Sequence, residues 1–249
     1  MVRLNFFEMM AFVRGRYEVS VAKSDDDLSE AQMLRGLCFN LEGSDADGFD
    51  KSCSHILIRS TQDNRLVGCF RMLAVTGASI DTSYSAQFYD LSALAGFSGS
   101  MIELGRFCIH PNEQDPDIIR IAWAALTACV DENQISMLFG RTSFSGNDTA
   151  AHQAVFALLG ECHTAPSHWA PKHKVPDVFD FRSEATQDFD IKKANADMPP
   201  LLRTYLLMGG WVSDHAVIDR DLNTMNVFTA VDIKAIPQAR KRLLRALVG

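Results

Sequence analysis

A run of mostly apolar residues at 101–111, MIELGRFCIHP, constrains the fold of this chain more than any other stretch. Its apolar side chains, and the proline that ends it, predict a buried central strand. Glu103 and Arg106 lie inside the run, and because burying a lone charge is costly, each must find a partner or take part in chemistry. In a regular strand they point to opposite faces, whereas a bulge at Gly105 would bring both to one side. In either case this strand is the best candidate for an active site.

Length and composition bound the class of protein. The chain of 249 residues could form one large domain or two small ones, and the lack of a linker rich in proline, glycine or serine favours a single domain over 1–249. No run of 18 apolar residues is present, the start lacks a signal-peptide cleavage site, and the six cysteines form no CxxC pair, which together predict a cytoplasmic protein with reduced thiols. The net charge of −7 argues against general nucleic-acid binding.

Hydrophobic periodicity predicts antiparallel strands followed by alternating strands and helices. The predicted elements are strands at 17–21, 53–60, 66–75, 101–111, 135–140, 211–217 and 227–231, and helices at 28–38, 118–130, 149–159, 199–210 and 237–248. Residues 76–100 are a long polar connection, and residues 161–198 have little periodicity. This order predicts an α/β or α+β sheet with helices on both faces.

Further charges accompany the central strand. Arg71 lies inside an apolar strand, Arg35 lies near the end of the first helix, and the segment 45–50, DADGFD, is acidic. Taken alone, Arg35 is typical of a solvated helix residue, and the acidic segment lacks the glutamate of a calcium loop. A structural ion-pair network fits these charges, and so does a site that deprotonates an amine and stabilises an oxyanion. Spacing does not decide between the two.

Histidines recur every five residues at His163, His168 and His173, a spacing that fits neither a helix face nor a strand face. Since no carboxylate or cysteine lies at zinc-ligand spacing, the pattern favours a surface loop, and we expect no metal site.

The motifs ELGRF at 103–107, CFRML before it, and GFD at 48–50 resemble the acyl-carrier-protein-dependent branch of the GNAT N-acyltransferase superfamily. That branch includes the acyl-homoserine-lactone synthases and the L-ornithine N-acyltransferases. Residues 199–233 resemble the closing block of the ornithine enzymes over its whole length, and the synthases' usual tryptophan after Phe39 is absent. Arg141 and Phe107 stand where smaller residues are expected. The resemblance covers most of residues 17–233.

The resemblance implies a GNAT-like fold, with a central, mixed and mostly antiparallel sheet flanked by helices, and a core at about 17–233. It implies transfer of a (3-hydroxy)acyl chain from acyl carrier protein to the α-amine of L-ornithine, by direct attack on the thioester and with no cofactor beyond the donor's phosphopantetheine arm. The implied catalytic residues are Glu103, Arg106 and Arg71, and the implied substrate contacts are Arg35, Phe39, Asp50, Phe107 and Ser143. Open alternatives are an acyl-homoserine-lactone synthase, an acyltransferase for glutamine or lysine, and a non-catalytic acyl-binding module.

The choice of donor has its own sequence signal. Many GNAT enzymes that use coenzyme A bind its pyrophosphate on a glycine-rich loop after the central strand, but here 111–120 reads PNEQDPDIIR, with three acids and no glycine. Carrier proteins are acidic, so an acidic chain must attract them through local basic clusters. The expected docking residues are Arg14, Arg16, Lys172 and Lys174. The basic amphipathic helix at 237–248 is either solvated or a peripheral contact at the inner face of the membrane.

Overall fold

The computed structural model describes residues 12–184 and 189–247, so the predictions that concern the first eleven residues and Val248 lie outside the described residues. The strands are β1 (Phe12–Arg14), β2 (Tyr17–Val21), β3 (Ser54–Ser60), β4 (Leu66–Thr76), β5 (Tyr89–Asp90), β6 (Ser100–Ile109), β7 (Met137–Ser145), β8 (Lys172–His173), β9 (Val178–Asp180), β10 (Trp211–Asp219) and β11 (Thr224–Asp232). The helices are α1 (Asp25–Cys38), α2 (Pro116–Glu132), α3 (Thr149–Cys162), α4 (Ile191–Asp197), α5 (Pro200–Leu207) and α6 (Gln238–Arg245).

The described residues form two compact units. Unit 1 contains the chain up to Ala74, Leu104–Ile135 and the residues from Gln238 onward, and unit 2 contains Val75–Glu103 and Ser136–Pro237. The chain passes from unit 2 into unit 1 within β6, between Glu103 and Leu104. A single domain over 1–249 stays a prediction.

Unit 1 is a sheet with a helix on each face. Strands β1, β2, β3 and β4 and the last part of β6 follow one another in that order, and β1 to β4 are antiparallel. On β4, Cys69 packs with Ala31 of α1. A side chain at the preceding residue, Gly68, would meet Ile118 of α2. Because neighbouring strand residues point to opposite faces, α1 and α2 cover opposite faces of this sheet.

Local sequence signals fix both ends of α1. Ser24 and Asp27 form a capping box, since the Ser24 hydroxyl accepts from the Asp27 amide and the Asp27 carboxylate accepts from the Ser24 amide. Near the other end, a Cβ on Gly36 would lie 1.9 Å from the carbonyl oxygen of Gly43. Only glycine lets the following loop lie this close to α1, and that approach brings Asp45 to the helix.

Unit 2 contains the remaining sheet. The first part of β6 is followed in order by β7, β11, β10 and β9, and the pairs from β7 to β9 are antiparallel. An apolar cluster joins Val155 and Phe156 of α3, Leu202 of α5 and Val227 of β11. Strand β10 shifts register between Val212 and Ala216, a β-bulge.

The elements differ from the predicted ones mainly where periodicity is weak. The connection at 76–100 contains β5 and the 3-10 turns Gly77–Thr82, Ser85–Gln87 and Ser92–Leu94, which the polar composition does not signal. Strand β7 runs on to Ser145, five residues beyond its predicted end, because its pairing with β11 continues to Thr224. None of the described helices is both long and apolar enough to cross a membrane.

Candidate active site

The Glu103 side chain on β6 is buried and held by backbone amides of unit 2. The residue is 5% exposed, and its carboxylate accepts hydrogen bonds from the amides of Tyr84 (2.7 Å) and Ser85 (2.6 Å). Hydrogen bonds to a buried carboxylate offset part of the cost of removing its charge from water. A carboxylate oxygen has two lone pairs, so accepting one amide does not exhaust its capacity. Glu103 can therefore accept a proton, and it also anchors the start of the turn Ser85–Gln87.

The backbone of β6 leaves regular strand geometry at Arg106. Its φ is +53°, in the left-handed region that side chains other than glycine rarely adopt. The sequence predicts a bulge at the neighbouring Gly105, and that position stays a prediction. A Cβ on Gly105 would lie 3.7 Å from Arg71 Nε, which places Gly105 beside a second charged residue of the predicted site. Such strained positions cluster at functional sites.

Unit 1 contains a closed ring of ion pairs, which we call the arginine–aspartate ring. Going round the ring, its members are Asp45, Arg35, Asp50, Arg71, Asp47 and Arg106. Arg35 is 1% exposed and donates to Asp45 (2.8 Å) and Asp50 (2.8 Å). Its interpretation as a solvated helix residue was wrong, because the loop that packs on Gly36 covers it with carboxylates.

The other two arginines complete the ring from the strands. Arg71 of β4 donates to Asp47 (2.7 Å) and Asp50 (2.6 Å). Arg106 of β6 donates to Asp45 (2.6 Å) and, at 3.3 Å, to Asp47. Each arginine therefore contacts two aspartates and each aspartate contacts two arginines, so the buried charges of the ring balance.

Two aspartates of the ring, and the histidine beside it, have shifted pKa values. Burial alone would raise the pKa of Asp50, but hydrogen bonds from Arg35 and Gln32 outweigh burial and hold the pKa well below its usual range. Burial likewise acts against the ionised form of Asp47, and Arg71 lowers its pKa. His55 donates from Nε2 to the carbonyl oxygen of Asp50 (3.0 Å), and burial lowers the pKa of this imidazole. Asp47 and Asp50 are therefore ionised and His55 is neutral at pH 7.

Aromatic rings lie against the ring's arginines. The guanidinium of Arg106 lies 5.5 Å from the Phe39 ring centroid, and that of Arg71 lies 5.9 Å from Phe49. Phe107 stacks on Phe70, with centroids 5.6 Å apart. Of the expected site residues, Arg35, Phe39, Asp50, Arg71 and Arg106 thus come together in unit 1. Phe107 lies next to Arg106 on β6.

Two further residues of interest lie on β7 in unit 2. The Ser143 side chain, expected to contact substrate, donates to the Asn226 side chain of β11 (2.7 Å). In the sequence, Arg141 stands out only as larger than expected. Its side chain is 7% exposed, and its guanidinium lies 3.7 Å from the Phe88 ring centroid and 5.4 Å from that of Tyr84. Sequence reasoning missed this contact because it depends on the fold of 76–100.

The expected docking residues are exposed and belong to both units. Arg14 and Arg16 lie in unit 1, where Arg16 pairs with Asp115 (2.5 Å). Lys172 and Lys174 lie in unit 2, where Lys174 donates to the carbonyl oxygen of Ala86. In helix α6, Arg245 forms two hydrogen bonds with Asp131 of α2 (2.8 Å each). A membrane contact of this helix stays a prediction.

One group of side chains within 12–184 and 189–247 has donors close enough to hold a metal ion. His173, Asp214 and His215 each offer a ligand atom, and these atoms lie within 4.8 Å of one another. The adjacent Asp214 and His215 lie within the register shift of β10, and the Asp214 carboxylate and His215 Nδ1 are 2.8 Å apart. The spacing of His163, His168 and His173 could not reveal this group, because Asp214 and His215 lie some forty residues beyond His173 in the sequence. The expectation of no metal stays a prediction.

Comparison with known proteins gives the class. Residues 32–124 match the family model of the acetyltransferase (GNAT) domain. Two solved structures share the fold over most of the chain. FeeM, an N-acyl amino acid synthase from uncultured soil microbes, has a TM-score of 0.51 at 11% identity and covers 94% of this chain and 97% of its own. BjaI, a CoA-dependent acyl-homoserine lactone synthase, has a TM-score of 0.50 at 14% identity, with 91% and 83% covered. The fold is therefore the α+β fold of GNAT acyltransferases, as predicted.

Sequence relatives give the family. The L-ornithine N(alpha)-acyltransferase of Rhodobacter capsulatus is 31% identical over 243 residues, which cover 90% of this chain and 93% of that protein. The enzyme of the same name from Brucella abortus is 30% identical, with 89% and 86% covered. The chain belongs to the L-ornithine N(alpha)-acyltransferase family, which confirms the resemblance drawn from its motifs.

The ring predicts how unit 1 responds to the loss of one member. Arg35→Met leaves Asp45 and Asp50 buried with one fewer cation, so we expect the free energy of unfolding to fall by about 3–5 kcal/mol. Arg59→Met is the matched control, because Arg59 pairs with the more exposed Asp27 and Glu30 and its loss should cost about 1 kcal/mol or less. Urea unfolding measures both. Equal costs for the two variants would contradict the account.

Proposed function

We propose that this chain transfers an acyl group from a thioester to the α-amine of L-ornithine, giving lyso-ornithine lipid. The observation that carries the proposal is the identity of 31% along 93% of a protein named L-ornithine N(alpha)-acyltransferase. A buried carboxylate on the central strand, with two backbone hydrogen bonds, supplies a base for this chemistry.

The proposed reaction needs one proton acceptor and no covalent enzyme intermediate. The α-amine attacks the thioester carbonyl carbon, so that a carbon–nitrogen bond forms and the carbon–sulfur bond breaks. The proton leaving the amine passes to Glu103, directly or through water, and Glu103 then returns it to the departing thiolate, which leaves as a thiol. Arg71 and Arg106 each pair with two aspartates, and we assign them the role of holding segment 45–50 and the strand in place.

The start of α2 supports acyl carrier protein rather than coenzyme A as the donor. Asp115 caps the helix by accepting from the Asp117 amide (3.0 Å), and it also accepts from Tyr17 (2.8 Å). A pyrophosphate at this helix end would meet the carboxylates of Glu113 and Asp115 instead of free amides. A carrier protein brings its phosphopantetheine arm without a nucleotide, so it needs no site of this kind.

Incubation with acyl carrier protein loaded with an acyl chain, followed by mass spectrometry, tests the function. The acceptors are ornithine, lysine, glutamine and S-adenosylmethionine, each alone. The proposal expects N-acylornithine as the main product. Acylation of another amino acid, or formation of a lactone from S-adenosylmethionine, would show that ornithine is not the acceptor. Binding of the donor without any product would identify an acyl-binding module.

The role of Glu103 is tested by a conservative change. Glu103→Gln keeps the shape of the side chain but removes the base, so we expect turnover to fall by about 100-fold or more at neutral pH with an unchanged circular dichroism spectrum. Ser83→Ala is the matched control, because the Ser83 hydroxyl also orders this segment, donating to Ile80 and accepting from Ala86, without touching the carboxylate. If both variants lose activity equally, Glu103 acts only by ordering residues 80–86.

The donor is tested by comparing acyl carrier protein with acyl-coenzyme A, and the docking residues are tested by charge reversal. We expect a much higher kcat/KM with acyl carrier protein than with acyl-coenzyme A. Reversal of the four docking residues should raise the KM for the carrier protein at low salt, with a smaller effect as salt rises and no effect on the KM for ornithine. The four are Arg14, Arg16, Lys172 and Lys174. Equal efficiency with both donors would refute the choice of donor, and an unchanged salt dependence would place the docking face elsewhere.

A further inference from the structure

Arg141 of β7 is a buried cation whose hydrogen-bonding capacity is largely unused. Its Nη2 lies 3.4 Å from the Asp219 carboxylate, which is longer than a good charge-assisted hydrogen bond. Asp219 is also engaged by the amide of Leu222 at 3.0 Å. The Nε and Nη1 groups of Arg141 are buried and have no hydrogen-bond partner within the described residues. Leaving buried N–H groups of a charged side chain unpaired is costly, so the arrangement indicates a site for a ligand that accepts these hydrogen bonds.

The surroundings of Arg141 hold its position. The Phe88 ring lies 3.7 Å from the guanidinium carbon and the Tyr84 ring lies 5.4 Å from it, so two aromatic faces orient the cation. Both aromatic residues flank the turn Ser85–Gln87. This turn carries another polar atom without a partner in the described part of unit 2, because the Ser85 hydroxyl is buried and makes no hydrogen bond there. The unused donors of Arg141 and the hydroxyl of Ser85 therefore belong to one packed region.

The same turn connects Arg141 to the proposed base. The amides of Tyr84 and Ser85 hold the Glu103 carboxylate, at 2.7 and 2.6 Å. Residues 84–88 thus fix both a carboxylate able to take a proton and a cation able to bind an anion. An α-amino acid carries its amine and its carboxylate on one carbon, so the acceptor of the proposed reaction matches this pairing of charges.

We infer that Arg141 binds the α-carboxylate of the acceptor amino acid and thereby presents the α-amine, rather than a side-chain amine, to the thioester. The inference rests on the proposed function. A carboxylate is the ligand best matched to a guanidinium, because its two oxygens accept from paired N–H groups. The three arginines of the ring each have two aspartate partners, whereas Arg141 has one long contact. The family resemblance led us to expect a smaller residue at this position.

The test compares acceptors with and without a carboxylate. Putrescine is ornithine without its carboxylate, and wild-type protein should use ornithine with the higher kcat/KM. In Arg141→Gln the ratio of kcat/KM for ornithine to that for putrescine should fall by about 10- to 100-fold. Arg141→Lys should keep part of the preference, because it keeps the charge and loses the paired donors. Arg220→Gln is the matched control and should leave the ratio unchanged, because it removes an exposed arginine of unit 2 that pairs with Asp177.

A second arm asks whether Arg141 binds a 3-hydroxyl group on the acyl chain instead of the carboxylate of the acceptor. Donors with and without this hydroxyl are compared at equal chain length. The ratio of kcat/KM for the two donors should be the same in wild type and in Arg141→Gln. A changed donor ratio with an unchanged acceptor ratio would overturn the inference and assign Arg141 to the acyl chain. An acceptor ratio that does not change in Arg141→Gln would also overturn it.

Binding measurements without turnover distinguish a failure of this inference from a failure of the proposed function. Calorimetric titration with ornithine and with putrescine should show ornithine binding more tightly to wild type, and Arg141→Gln should lose the difference. If wild type makes N-acylornithine but Arg141→Gln binds ornithine equally well, the inference fails and the function stands. If wild type neither binds nor acylates ornithine, both fail. Should Arg141→Gln not fold, the double variant Arg141→Met with Asp219→Asn removes both charges of the pair and takes its place.

Discussion

The arginine–aspartate ring is the interaction on which the rest of unit 1 depends. It joins helix α1 through Arg35, strand β4 through Arg71 and strand β6 through Arg106, and segment 45–50 supplies all three carboxylates. Charges taken out of water are stable only when they are paired and hydrogen-bonded, and the closed ring satisfies that condition without surplus charge. Apolar residues of similar volume could stabilise the same space equally well. We therefore interpret the ring as a device that fixes where segment 45–50 and β6 lie, more than as a source of stability.

The left-handed backbone at Arg106 follows from the same requirement. A buried strand offers its charged side chains two fixed directions, and a residue that must reach Asp45 and Asp47 has to leave that geometry. The strain of a positive φ is of the order of 1–3 kcal/mol, which two charge-assisted hydrogen bonds can offset. Three residues earlier on the same strand, Glu103 is held by backbone amides instead. One strand thus carries an anion fixed by amides and a cation fixed by carboxylates.

The sequence predicts much of this arrangement and fails at identifiable places. Apolar periodicity predicts the strands and helices, and charges inside apolar runs are enough to single out Glu103, Arg71 and Arg106. Periodicity carries no information on which side chains pair. It therefore misses the closed ring and the burial of Arg35, which depend on a close contact between Gly36 of α1 and the loop that follows the helix. The contacts of Arg141 and the group formed by His173, Asp214 and His215 are missed for a related reason. Both depend on segments with irregular backbone, the turns within 76–100 and the bulge of β10, which bring distant residues together. The family resemblance, in contrast, rests on short motifs around the buried charges, where the constraint on residue type is strongest.

The pH dependence of unfolding tests most directly whether the ring organises unit 1. The pKa of Asp50 is lower in the folded state than in the unfolded state, where it is about 4. Asp50 therefore stabilises the folded state above about pH 4, and this stabilisation is lost as the pH falls from there toward the folded-state pKa. The free energy of unfolding of wild type and of Asp50→Asn is therefore measured by urea denaturation from pH 7 to pH 3. Wild type should be the more stable at neutral pH, and the difference between the two free energies of unfolding should shrink steadily below about pH 4. A difference that is negligible at pH 7, or constant down to pH 3, would contradict this role of the ring.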